Sequence, residues 1–372
     1  MAARTPNFSL DAKVMGTRMS PILAHVAHIR HLVRPGTLEV FLRQRYSYSK
    51  AEAKEVAQLA APFLDQGLNF FDASRQASLR VRSVLQYYAY LNLATALVII
   101  YRPTNWEAYR SHGVVDTTRS LNRISLSSGV IKVGTGALTL FNSILSDGRL
   151  PRGKIPLKHL VVPIPMVALE LEHAHGIQPH SLVVNGGVQA KPGEPNDQIR
   201  SHFRFRLMNQ KAPPPNYVST QKFPLRRLYE AMPELKTEYR PEQTTGHQRS
   251  FWSKQFWTSG NRSRAEKFHQ QRCLRFLNFG GEAVFTIPQL RTEYIWRVEP
   301  DTPLIPTLTA GLLLSFALAS LSRYRANLLD RIESSQINLI CEVFANEADG
   351  FMVPAMRNLL YAESVHFAEM PA

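Results

Sequence analysis

The sequence predicts a mainly α protein, in which the N- and C-terminal parts form one discontinuous helical domain around a mixed α/β insert. Two long apolar segments lead to this prediction. Between Gln86 and Arg102 the chain is apolar or aromatic except for Asn92 and Thr95, and residues 304–325 form a second such segment. A helix that is apolar all round needs partners all round, so the simplest architecture packs the two together.

Composition suggests three parts. We predict an N-terminal helical part with a short β segment at 1–147, an α/β insert with a basic aromatic block at 148–300, and a C-terminal helical part at 301–372 that completes the helical core. A chain of 372 residues exceeds the usual size of a single core. The middle part holds most of the prolines and the irregular polar sequence, which is typical of an insert between helical segments.

Local patterns predict the first elements. Residues 1–18 are unpatterned, and we expect a loosely docked tail, followed by a helix from Pro21 with apolar residues at helical spacing. Ser49 and Glu52 form a capping-box pattern, which predicts a helix that begins there, bends at Pro62 and ends near residue 74.

The later elements follow from changes of pattern. Glycines and β-branched residues between 112 and 145 predict short strands or a hairpin, and 155–165 and 223–233 each predict a short helix. Residues 202–210 alternate as a strand does. After 304–325 the helical pattern continues to residue 349, and we expect a separate last helix after Gly350.

The net charge of the chain limits the kinds of partner that we expect the protein to bind. The chain has 44 Lys and Arg against 29 Asp and Glu, a net charge of +15 and a pI near 10.0. Such an excess favours phosphate polyanions or an acidic partner subunit. Two cysteines, Cys273 and Cys341, are too few for a disulfide framework, and the N-terminus has no signal-peptide pattern. We therefore expect a cytoplasmic protein.

The basic aromatic block, residues 249–279, is the strongest candidate for binding nucleic acid. Its cations could neutralise phosphates while its aromatic rings stack on unpaired bases. The alternative is an amphipathic pair of helices with the aromatic residues inward. The candidate binding residues are Arg249, Trp252, Lys254, Trp257, Arg262, Arg264, Lys267, Arg272 and Arg275.

One catalytic pattern lies in the same block. Arg264 and His269 have the Arg-x4-His spacing of HEPN ribonucleases, which cleave RNA without a metal. About one such match is expected by chance among 12 histidines in an arginine-rich chain, so Arg264 and His269 are a weak hypothesis for a catalytic site.

The best metal-like cluster comprises Glu172, His173, His175 and His180. On a strand, His173 and His175 would face one side and Glu172 the other, so we expect no metal site there. The sequence also lacks a nucleotide-binding loop, and we expect no cofactor.

Several motifs resemble one family. These are YYAYLNLATALVI before Pro103, the pair His112-Gly113, FPLRRLYEAMPEL at 223–235 and SFALASLSRY at 315–324. Together they are similar to the bacterial YaaC-like family, over roughly 50–145, 220–240 and 300–360. The late block departs from the family pattern after Tyr324, and the basic aromatic block is not part of that pattern. The resemblance implies a helical bacterial cytosolic protein and assigns no catalytic residue.

We therefore predict a non-catalytic nucleic-acid-binding or complex-assembly component of a bacterial system, such as phage defence. Two alternatives stay open: a HEPN-type metal-independent ribonuclease, and a scaffold whose charge meets an acidic partner subunit. Nucleic acid or a protein subunit is the expected partner, and no membrane is expected.

Overall fold

The computed structural model describes residues 13–103, 111–146, 150–177, 180–208, 225–245, 248–278, 282–286, 291–298, 303–333, 335–363 and 365–369. Contacts between Cα atoms divide the chain into two compact units. The helical unit comprises Lys13–Ile177 together with residues 305–369, and the sheet unit comprises residues 180–304. This division lies at 177/178 and 304/305, whereas composition suggested 147/148 and 300/301. The predicted class, mainly α with a mixed middle part, agrees with the structure.

The helical unit is built around α4, which is buried along most of its length. The helices α3, α5, α11 and α13 pack against it. A small antiparallel sheet in the order β2-β3-β4 belongs to the same unit, and β1 pairs with β12 in parallel. The helices are α1 (Pro21–His31), α2 (Pro35–Tyr46), α3 (Lys50–Arg75), α4 (Leu79–Tyr101), α5 (Ala137–Leu145), α6 (Leu157–Val161), α7 (Ala168–His175), α11 (Thr307–Tyr324), α12 (Ala326–Glu333) and α13 (Ile337–Tyr361). The strands are β1 (Lys13–Thr17), β2 (Val114–Asp116), β3 (Gly129–Val133), β4 (Lys154–Pro156) and β12 (Val365–Glu369).

Buried tyrosines fasten the early helices to the late ones. Tyr46 at the end of α2 donates to the carbonyl of Leu360 at 2.7 Å, and Tyr101 at the end of α4 donates to that of Leu359 at 2.7 Å. Both carbonyls lie in the last turn of α13, where carbonyls lack a donor four residues further on in the helix; that of Leu359 also accepts from the backbone N–H of Ala362 at 3.0 Å. Segments 258 residues apart in sequence are thereby joined in one core.

In its described residues, the sheet unit is an antiparallel sheet with three α-helices. Its strand order is β10-β11-β5-β6-β8-β7, with β9 pairing with β6. Phe203, Phe205 and Phe251 on one sheet face pack with Leu228, Met232 and Leu235 in a buried cluster. The strands are β5 (His180–Ala190), β6 (Gln198–Met208), β7 (Tyr239–Thr245), β8 (Gln248–Ser253), β9 (Trp257–Thr258), β10 (Glu282–Thr286) and β11 (Arg291–Val298); the helices are α8 (Leu225–Ala231), α9 (Glu234–Thr237) and α10 (Arg262–Asn278).

Both ends of the chain differ from the sequence-based expectation. Part of the expected tail forms β1, because β12 offers it a partner strand. The prediction of a separate last helix is also wrong, because α13 runs through Gly350 and Pro354 and ends at Tyr361. Proline removes one backbone hydrogen bond, but the buried residues on either side stabilise the continuous helix through tertiary packing.

Among the described helices, α4 is long and apolar enough to cross a membrane by length and composition. The structure buries 83% of its apolar window inside the protein. A core helix meets the same criterion, so this feature alone assigns no membrane location.

Candidate nucleic-acid interface

The helix α10 presents cations on its outer side. Ala265, Phe268 and His269 face the sheet, and Ala265 is fully buried. Because a helix turns every 3.6 residues, Arg264 and Lys267 face away from the sheet, and both are exposed. Arg262 at the flank is also exposed, and its Nε lies 2.8 Å from Glu266. We call Arg264 and Lys267 the α10 face.

The charge around this face is strongly positive. Within α10 there are five Lys and Arg residues and one carboxylate, Glu266. Residues 178–304 as a whole contain 19 Lys and Arg against 11 Asp and Glu, which is +8 of the net +15 of the chain. The sheet unit therefore holds about half of the excess in about a third of the length.

The two tryptophans of the basic aromatic block lie inside the unit. The Trp252 indole stacks on His202 with ring centroids 4.9 Å apart, and its Nε1–H donates to Glu242 at 2.8 Å. Trp257 packs on Phe268 at 5.0 Å. Both side chains are at least nine-tenths buried. The geometry therefore favours inward packing over base stacking, although the fold is β8, β9 and α10 and not the pair of helices that we considered.

The remaining candidate cations are spread over the unit. Arg272 is paired with Glu238 at 2.7 Å and lies over the Phe268 ring at 3.5 Å. Arg249 is half-buried on β8, and Lys254 is exposed and donates to the Thr237 carbonyl at 2.7 Å. The side chain of Arg275 lies outside the described residues. The structure thus places Arg264 and Lys267 side by side on α10. Arg262 is rotated by about 200° around the helix from Arg264, and Arg249 and Arg272 are not part of this surface either.

Arg264 and His269 point to different sides of α10. Five residues correspond to a rotation of about 140° between side chains. His269 is 6% exposed, stacks on Phe203 at 4.6 Å and shares a 2.9 Å hydrogen bond with the Ser201 hydroxyl. Burial, aided by His202 and Arg272, lowers the pKa of His269 to about 3. The imidazole is therefore neutral and enclosed, while Arg264 is in solvent.

The histidine-rich segment around residue 173 forms a helix. Glu172, His173 and His175 lie in α7, and Gly176 ends the helix in a left-handed conformation. His180 begins β5 in the sheet unit. Within the described part of the chain, no group of three or more potential ligands is arranged to hold a metal ion.

Sequence reasoning missed a polar cluster in the helical unit. The Tyr87 hydroxyl lies 2.8 Å from Nδ1 of His112, and Arg323 donates to the Tyr88 hydroxyl at 2.7 Å. The family motifs could have indicated this cluster, because their Tyr-Tyr, His-Gly and Arg-Tyr pairs each contribute a side chain to the cluster. What the sequence could not show is that segments 235 residues apart meet.

One of the comparisons with known proteins identifies a family. A model of the YaaC-like Protein family matches residues 30–348. No curated protein and no solved structure matches the chain. Because the family match covers well over half of the 372 residues, the chain belongs to the YaaC-like protein family.

Proposed function

We propose that this protein binds nucleic acid without cleaving it, through the α10 face, as a component of a bacterial assembly such as a phage-defence system. The observation that supports the proposal is the exposed group of cations on α10. Arg264 and Lys267 are three residues apart, which makes their side chains neighbours on the helix surface. Cations so spaced can contact successive phosphates of one backbone.

The shape of the helix also supports this proposal. The 17 residues of α10 span about 25 Å, at about 1.5 Å per residue. A helix with one exposed basic side suits the groove or backbone of a nucleic acid. Lysine and arginine contacts to phosphate carry little sequence information, so we expect binding with weak sequence preference.

The non-catalytic part of the proposal rests on His269. A general acid or base must reach the substrate proton, and this imidazole is enclosed between Phe203 and Ser201. Its lowered pKa leaves it neutral at physiological pH. Neither property favours the HEPN hypothesis.

We also propose that the helical unit folds as one discontinuous domain in the cytoplasm, with the middle of the chain as an insert. The tyrosine bonds from α2 and α4 to α13 support this. Limited proteolysis followed by size-exclusion chromatography should leave N- and C-terminal fragments associated after cleavage in the middle of the chain, between residues 178 and 304. Separate elution of the two fragments would contradict it.

Fluorescence anisotropy with labelled single-stranded RNA, single-stranded DNA and duplex DNA tests the binding proposal. The double variant Arg264→Glu, Lys267→Glu should bind at least about tenfold more weakly, because each reversed charge replaces an attraction to phosphate by a repulsion. The matched control is Arg204→Glu, Arg240→Glu. Both of these arginines are exposed, and strand alternation puts them on the sheet face opposite α10.

Four outcomes separate the hypotheses. A loss confined to the α10 variant supports the proposal, and an equal loss in both variants would show general electrostatic attraction instead. No binding by the wild type, combined with a stoichiometric acidic protein that co-purifies, would favour the scaffold hypothesis. RNA cleavage that His269→Ala abolishes would contradict the non-catalytic assignment.

A further inference from the structure

The polar cluster of the helical unit contains a cation without a counter-charge. Arg323, in the last turn of α11, donates from Nη1 to Tyr88 Oη at 2.7 Å and from Nε to the Ala319 carbonyl at 3.3 Å. It is half-buried, and no carboxylate among the described residues pairs with it. Removing a cation from water is costly unless an anion or hydrogen bonds compensate. The arrangement therefore favours a bound anion.

Aromatic rings hold the guanidinium in place. Its central carbon lies 5.5 Å from the ring centroid of Tyr88 and 4.9 Å from that of Tyr324. Phe70 in turn stacks on Tyr88, with the two ring centroids 5.4 Å apart. A guanidinium that is already oriented loses less conformational entropy when it binds a ligand.

The backbone around His112 is equally fixed. The first turn of α5 donates to this segment, with Ala137 N bonded to the Ser111 carbonyl at 2.9 Å. Gly113 has φ +73°, and a Cβ on it would lie 2.9 Å from the Cα of Gly136. The close approach of the two glycines places His112 beside α4.

The hydrogen bond with Tyr87 determines which ring nitrogen of His112 can donate to a ligand. Tyr87 is fully buried, and burial raises the pKa of its phenol, so the hydroxyl keeps its proton. In the tautomer in which this hydroxyl donates to Nδ1, the ring hydrogen lies on Nε2, where it can be donated to a ligand. Burial and the nearby Arg323 lower the pKa of His112, so the ring is a neutral donor.

We propose that Arg323, His112 and Tyr88 form a binding site for a phosphate group, as carried by a free nucleotide or by a phosphorylated nucleic-acid end. Arg323 supplies the charge and a planar pair of donors, and His112 Nε2–H supplies a neutral donor. Tyr324 is 65% exposed next to the guanidinium and offers an aromatic face to a nucleobase. This site does not depend on the α10 face and extends beyond the proposed function.

Isothermal titration calorimetry of the full chain tests the site, with inorganic phosphate, adenosine 5′-monophosphate and adenosine as probes. We expect the monophosphate to bind more tightly than phosphate and adenosine not to bind. Arg323→Gln should weaken monophosphate binding about 10- to 100-fold, the range for loss of a charge-assisted hydrogen-bonded pair. Arg323→Lys should restore part of it. The matched control is Lys132→Gln, an exposed cation on β3, which should bind as the wild type does.

A comparison of 5′-phosphorylated with 5′-hydroxyl oligonucleotides distinguishes the two sources of phosphate. Tighter binding of the 5′-phosphorylated than of the 5′-hydroxyl oligonucleotide points to a nucleic-acid end, and equal binding of the two points to a free nucleotide. A second test uses the wild-type protein, so it does not depend on whether a variant folds. Nuclear magnetic resonance measures the pKa of His112, which phosphate should raise because an anion favours the imidazolium. Unchanged monophosphate affinity in a folded Arg323→Gln variant, or no effect of phosphate on His112, would overturn the proposal.

Discussion

Acidification from pH 7.5 to 5 should weaken the sheet unit, because His269 cannot accept a proton in its buried position. Its pKa is about 3 in the folded protein, against about 6.5 in an unfolded chain. The unfolded state therefore binds more protons as the pH falls below 6.5, and stability that is complete above that value is lost towards pH 3. Linkage puts the loss at about 2 kcal/mol between pH 7.5 and 5. The pKa of His202 is also lowered, chiefly by burial, which adds in the same direction.

Urea unfolding followed by tryptophan fluorescence measures this effect, because Trp252 and Trp257 lie in the same unit as His269. In His269→Gln the stability at pH 7.5 should fall by about 1–3 kcal/mol through loss of the ring packing and the bond to Ser201. The further loss on acidification should shrink. His173→Gln, which removes an exposed histidine from the helical unit, is the control. An undiminished loss on acidification in His269→Gln would refute the reasoning.

Three further changes test the helical unit by thermal unfolding. Arg357→Ala should destabilise it by about 2–4 kcal/mol, because this 2% exposed cation donates to the Glu363 carbonyl and shares a 3.0 Å bond with His28; a melting temperature equal to that of the wild type would contradict this role. Gly136→Ala should lower the free energy of unfolding by about 1–3 kcal/mol, since the new Cβ would lie 2.5 Å from Gly113 N. The control is Gly36→Ala, which adds a Cβ in open space within α2 and should be neutral or slightly stabilising. Similar effects of the two substitutions would show that the close approach of Gly136 to Gly113 is not needed. Ser49→Ala should cost about 1 kcal/mol by removing the capping box, and a change below a few tenths would mean that the box contributes little.

The helices that the sequence predicts well carry local signals. The Ser49–Glu52 capping box is present as expected, and the apolar segments form α4 and α11 within a few residues of the predicted bounds. The helix α3 is continuous through Pro62, where the sequence predicts a bend, and residues on either side of this proline are buried. The sequence predicted a strand at 202–210 but not the order of the seven-stranded sheet, because the pairings of β11 with β5 and of β6 with β8 join strands that are far apart in sequence.

The candidate site shows the same limit at the level of side chains. Composition identifies the cations of the basic aromatic block, but exposure depends on tertiary neighbours. Trp252 is buried because β8 pairs with β6, which puts it opposite His202. Arg272 is engaged because Glu238, 34 residues earlier, lies beside it. Neither contact has a local sequence signal.

The salt dependence of nucleic-acid binding tests the central claim most directly. Anisotropy titrations of single-stranded RNA at several salt concentrations give the slope of log K against log salt, which counts phosphate contacts. If Arg264 and Lys267 each contact one phosphate, Arg264→Gln, Lys267→Gln should reduce the magnitude of the slope by about 1.4, or about 0.7 per contact. A slope equal to that of the wild type would contradict binding through the α10 face.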